Sequence, residues 1–138
     1  MTNINEFYIA LDNVEHRVSD IIEIGQKINE LSKKITYVCI SGDIAGVNIL
    51  KGFYQQIYKE LDDSLCLLLS EIENVNFYID DDHTSSYQMT FIVDIKEYVE
   101  ECLKKLKNGE LSPAFYDEIV RIADEYIDSE KNDWNYYA

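Results

Sequence analysis

Two histidines, three cysteines and one glycine-flanked turn are the groups in this 138-residue chain best placed to do chemistry. His83 follows Asp80, Asp81 and Asp82, and three carboxylates beside an imidazole could ligate a hard divalent cation. Consecutive residues on extended chain point to opposite sides, however, so the four cannot all face one ion. The run also lacks the glycine and the bidentate glutamate of an EF-hand loop, and it reads as a solvated acidic turn. His16, between Glu15 and Arg17, falls on the solvent side of a helical pattern. The segment Ile40–Gly46 resembles a phosphate-binding turn in opening a helix. It has neither GxGxxG nor a P-loop ending, and Lys51 is its only nearby base, so a tight turn explains its glycines better. Cys39, Cys66 and Cys102 are far apart in apolar stretches without CxxC spacing, and are expected to be reduced, buried thiols of a cytoplasmic protein. The sequence thus assigns no catalytic residue, no metal ligand and no cofactor, and the expectation is a protein that is not an enzyme.

Charge carries more information. Twenty-seven acids against twelve bases leave a net −15 and a pI near 4.3. Direct binding of nucleic acid needs Lys and Arg facing phosphates, and an anionic membrane surface repels such a chain, so neither is expected. Two stretches concentrate the acids. Residues 60–82 hold Glu60, Asp62, Asp63, Glu71, Glu73, Asp80, Asp81 and Asp82 with no base. Residues 115–133 hold seven acids against Arg121 and Lys131, among them Asp117, Glu118, Asp124, Glu125 and Asp128. Residues 94–114 nearly balance, with five acids and four lysines. Eleven tyrosines add interface-forming side chains, and Tyr78, Tyr136 and Tyr137 fit no buried pattern.

The elements that must hold these residues follow from apolar spacing. Ile4, Phe7, Leu11, Val14, Val18, Ile21, Gly25 and Ile28 recur at three and four, predicting a long helix over the first 34 residues. Gly25 marks a bend or a close crossing. Residues 35–41 are β-branched and aromatic, and read as a short strand. A second long helix is expected over 44–73, then a β-hairpin over 75–93, where Val75, Phe77, Ile79 and Tyr87, Met89, Phe91, Val93 alternate. A third helix ends at Asn108-Gly109, and a fourth starts at Ser112-Pro113. The expected fold is one α+β domain spanning 1–138: four helices on a small sheet, in the order α-β-α-β-β-α-α. The long apolar stripes could pair within one chain as an antiparallel helix hairpin, or across a homodimer.

From these features the chain is expected to be a monomeric or homodimeric acidic inhibitor. Its partner would be a basic protein such as a nuclease or other nucleic-acid-binding protein, whose basic groove the acids would block. A phage anti-defence DNA mimic (anti-CRISPR or anti-restriction) and a nuclease-toxin immunity protein are two settings for that role. Both resemble this chain in size and charge alone. The competing expectation is a regulatory or structural interaction module, dimeric through its long helices.

Overall fold

A computed structural model describes residues 4–79 and 84–137, with side chains for 5–79 and 84–131. The described residues form four α-helices and one 3-10 turn: α1 (Ile4–Ser41), α2 (Ile44–Phe77), α3 (Ser86–Lys107), the turn Pro113–Phe115, and α4 (Tyr116–Tyr137). No strand occurs among them, so the expected α+β fold with its sheet is corrected to an all-helical bundle.

The segment expected as a strand, 35–41, completes α1 instead. Its β-branched residues cost only a few tenths of a kcal/mol each in a helix. Ile35 and Val38 extend the three-and-four spacing and lie half-buried. The expected hairpin over 75–93 fails for the same kind of reason. Val75 is fully buried as the next step of Leu61, Leu65, Leu68 and Ile72, whereas its alternation partner Phe77 is 79% exposed. Across Gln88, Phe91, Ile92, Ile95, Val99 and Cys102 the buried positions follow helical spacing, and Val93 faces outward. The Glu73-Asn74 boundary proposed for the second helix moves to Phe77.

Punctuation residues fix the turns. Gly42 adopts φ +77°, and the Asp43 N–H reaches the Val38 carbonyl while the Gly42 N–H reaches Cys39, closing α1 in a Schellman arrangement. Asp43 then caps α2, its Oδ1 accepting the Gly46 N–H at 3.0 Å. Gly109, at φ +72°, closes α3 in the same way through the Glu110 and Gly109 N–H groups. Ser112 Oγ accepts the Ala114 N–H at the start of the last helical segment. Gln88 Oε1 accepts the Ser85 N–H at 3.0 Å, tying the entrance of α3.

The helices run up, down, up, down. α2 lies against α1 and α3, and α4 lies against α3 and α1, so α2 and α4 occupy opposite corners. One continuous core joins Phe7 to Ile28 of α1, Leu61 to Val75 of α2, Phe91 to Cys102 of α3, and Phe115 to Tyr126. Gly25 is a close crossing, because a Cβ there would sit 2.4 Å from the Tyr116 Cβ. At 1.5 Å per residue α1 spans about 57 Å, while α3 and α4 span about 33 Å each. The far part of the α1–α2 hairpin therefore projects past the bundle by roughly 20 Å. No helix is long and apolar enough to cross a membrane among the described residues.

Candidate functional site

The acids expected to act together are separated by the topology. Glu60, Asp62, Asp63 and Glu73 are exposed on α2, with Glu71 half-buried, whereas Asp117, Asp124, Glu125 and Asp128 are exposed on α4 and Glu118 is half-buried. Because α2 and α4 stand at opposite corners, the two stretches face different sides of the bundle. The α2 acids are also spread around their helix. Asp62 flanks a groove against α3 that contains Lys59 and Lys107, while Glu71 lies on another side. Asp80, Asp81, Asp82 and His83 lie outside the described residues, as do the side chains of Tyr136 and Tyr137.

A different set of acids converges. Asp94, Glu97 and Glu101 recur at three and four along α3, and this row faces Glu118 and Arg121 of α4 across an open groove of about 220 Å³. The groove continues into a second cleft of about 280 Å³, where Tyr87, Thr90 and Asp94 face Glu125, Tyr126 and Ser129. Arg121 sits between Glu118 and Glu125: its Nε donates to both Glu118 oxygens at 3.0 Å, its Nη2 donates to Glu118 Oε1, and its Nη1 donates to Glu125 Oε1 at 2.6 Å. That clasp holds the Glu118 carboxyl below its ordinary pKa and the guanidinium above its own. Glu101 is matched by Lys105 at 3.0 Å. Asp94 and Glu97 make no ion pair with a described residue. Asp117, Asp124 and Asp128 line the outward face of α4 beside the groove, at spacings of seven and four. Sequence reading passed over Asp94, Glu97 and Glu101 because residues 94–114 balance when charge is counted along the chain. Counted around the helix, these acids share one side.

The tyrosines near this groove are anchored by the fold. Tyr98 donates to the Phe115 carbonyl at 2.9 Å, and burial raises its phenol pKa. Tyr126 stacks on Phe91 with centroids 4.3 Å apart and donates to Glu15 of α1. Burial pushes the Glu15 carboxyl up, more than the Tyr126 hydroxyl brings it down. Tyr78, expected as an interface residue, is the C-terminal cap of α2; it is half-buried, packs against Phe77 and bonds to Glu6. Tyr37, which the sequence did not single out, is 73% exposed on the projecting hairpin.

The remaining reactive groups are dispersed. His16 is exposed, its Nδ1 2.9 Å from the Asp12 carbonyl on its own helix. Among the described residues no three His, Cys, Asp or Glu side chains converge as cation ligands. The expectation of three buried thiols is corrected: Cys39 and Cys66 are exposed and only Cys102 is buried, because the helices turn the first two away from the core. The Gly42–Gly46 turn joins two helices and is explained by its caps. No family model, curated protein or solved structure matches this chain.

Proposed function

We propose that this chain is a non-enzymatic binding protein whose acidic α3–α4 face captures a basic partner, of the kind that a nuclease or other nucleic-acid-binding protein presents. One observation carries the reading. Asp94 and Glu97 of α3 converge along one groove with Glu118 and Glu125 of α4, which share the single Arg121, and the exposed Asp117, Asp124 and Asp128 continue the surface outward, so the acids outnumber the bases on this face. Clustered like charge costs stability by self-repulsion, and a solubility role is served by fewer acids interspersed with bases. At 1.5 Å per residue Asp124 and Asp128 stand ~6 Å apart along α4, and Asp117 a further ~10 Å away, so the carboxylates form a row along one helix face. Such a field steers a basic protein to the face and competes with its nucleic acid. The α2 acids, on the opposite side, are not needed for that contact. Anti-defence inhibitor and nuclease-immunity protein are both settings in which this capture blocks a basic groove.

The test is capture of basic proteins by the full chain, eluted on a salt gradient with and without competing nucleic acid. Asp94→Lys, Glu97→Lys, Asp124→Lys and Asp128→Lys together should abolish capture, while Asp63→Lys with Glu73→Lys on α2 should leave most of it. Equal losses from both sets would remove the α3–α4 face as the site. Capture that ignores salt would remove the electrostatic reading altogether.

A further inference from the structure

Between the pair Lys33-Lys34 and Lys51 run sixteen residues that carry one charge, Asp43. In a chain that is 28% charged, such a stretch would ordinarily hold about four. The fold puts it at one extremity of the molecule, as the last turns of α1, the Gly42-Asp43 turn and the first turns of α2. The bundle reaches along the hairpin only as far as Asn29, which donates to the Tyr116 hydroxyl at 3.4 Å, and Tyr58, which donates to the Leu111 carbonyl at 3.5 Å. From those contacts to the turn each helix runs on for about 18 to 21 Å.

Tyr37, Ile40, Ile44 and Ile49 lie between the lysines and the turn, and are 73%, 82%, 77% and 62% exposed. At 3.6 residues per turn they point to different sides of the hairpin, so no single flat partner covers them together. A medium that surrounds the tip end-on does. Polar groups of the tip are also engaged within it. The Thr36 and Ser41 hydroxyls donate to the Ser32 and Tyr37 carbonyls at 3.1 and 3.0 Å. The Gly42 and Asp43 N–H groups close α1, and Asp43 Oδ1 accepts the Gly46 N–H. Polar groups satisfied in this way cost less to remove from water.

Charge supplies the complement. Lys33, Lys34 and Lys51 are exposed about 10 to 12 Å behind the turn, a basic collar behind an almost uncharged end. Interfacial segments bury their apolar part about 5–10 Å into the headgroup and acyl boundary of a bilayer, a depth that brings such a collar to the phosphates. The whole-chain charge opposes an anionic surface, but it is not evenly spread: residues 31–59 carry a net +3 and the rest of the chain −18. The bundle stands back from the tip by about two Debye lengths of about 8 Å at physiological salt, so the surface meets the basic end first.

We propose that the tip of the α1–α2 hairpin is a membrane-docking device for anionic phospholipid. Tyr37, Ile40, Ile44 and Ile49 enter the interface, and Lys33, Lys34 and Lys51 pair with the lipid phosphates. The tip enters one leaflet and does not span it, since no helix among the described residues is apolar enough to cross. The acids of the α3–α4 face stay in solution, so docking does not depend on any basic partner.

Cosedimentation of the full chain with vesicles of phosphatidylcholine containing about 30% phosphatidylserine, and with phosphatidylcholine alone, tests this. The chain should pellet with the anionic vesicles, stay in solution with the neutral ones, and be released as salt screens the lysines. Lys33→Gln with Lys34→Gln and Lys51→Gln should weaken binding on the order of a hundredfold, at about fivefold per lysine. Ile40→Asn with Ile44→Asn should weaken it by about tenfold or more. Asp43→Asn keeps a helix cap, removes the one acid of the tip, and should tighten binding severalfold. Circular dichroism should show unchanged helix in all three, because every substituted residue is exposed. The native thiols report the orientation: anionic vesicles should protect Cys39, in the tip, from a charged alkylating reagent and leave the exposed Cys66 of the bundle as reactive as before. A chain that ignores anionic vesicles overturns the proposal. Binding that leaves Cys39 unprotected also overturns it, by placing the contact elsewhere on the molecule. Protection of Cys39 that rises with protein concentration and needs no vesicle would give the tip a second copy as its occupant instead of lipid.

Discussion

Along α1 one apolar rhythm runs from Phe7 to Val38, yet its two ends live in different surroundings. From Phe7 to Ile28 the stripe is sealed by three other helices, and Val14, Ile21 and Ile28 have no exposure at all. From Leu31 onward it meets α2 alone, and the same residue types remain half in water. Two helices can share a seam, but neither can close it. The stability of the chain is accordingly concentrated at the bundle end, while the hairpin end depends on continuity with it. The contrast extends to charge, since residues 31–59 carry a net +3 and the rest of the chain −18.

Thiol chemistry gives the largest expected separation between the two regions. Cys102 is buried in the bundle, and its thiol is pushed up to about 11, whereas Cys39 is exposed on the hairpin. Alkylation of the native protein, followed by mass spectrometry, should modify Cys39 first. Cys66 should follow, its thiol raised by partial desolvation and by Asp62 and Asp63. Cys102 should lag by about a thousandfold or more, reacting through global opening. Comparable rates at Cys39 and Cys102 would mean that the bundle is not the protected part.

Core truncation sharpens the same contrast. Ile21→Ala should cost about 2–5 kcal/mol in chemical denaturation, and Leu50→Ala less than half as much, because its site is already open to water. Equal losses would contradict the division. Gly25→Ala should cost about 1–3 kcal/mol, since the new methyl meets the Tyr116 Cβ rather than the end of a movable side chain. If the crossing can relax, that variant will instead unfold at the same denaturant midpoint as the parent.

The smallest effect concerns Glu15. Its carboxyl is held above its ordinary pKa, so the folded chain binds more protons than the unfolded one between the two values, and stability falls as pH rises through that window. Glu15→Gln keeps an acceptor for Tyr126 and removes the charge. The variant should be slightly more stable than the parent at neutral pH, and the gain should vanish below about pH 4, where the parent carboxyl is protonated in both states. A gain that persists in acid would trace the effect to something other than ionisation.

Helix phase was readable in the chain because side-chain spacing of three and four has one geometric cause. The positions of Val14, Leu65 and Ile119 in the core follow from it, while the turns at Gly42, Gly109 and Ser112 follow from residues suited to end or begin a helix. Residues 35–41 and 75–93 were misread for one reason: β-branched composition and short alternation are weak local preferences, and a helix already under way overrides them when its next apolar step is buried. Among the acids, Asp117, Asp124 and Asp128 could be placed on one outward face from their spacing. The Glu118–Arg121–Glu125 clasp was also available from spacings of three and four, which bring such side chains together on a helix. The row Asp94, Glu97 and Glu101 was hidden by the lysines interleaved with it.

The sequence by itself determined the number of acids, the apolar stripes and the residues able to stop a helix, because these depend on residue type and near neighbours. Only the tertiary structure decided that the two acidic stretches stand on opposite corners, that α3 supplies the other wall of the groove, and that part of the long hairpin is left uncovered. Those outcomes depend on which helix lies beside which and on how far each extends past its neighbours. Residue spacing along one helix carries no record of either.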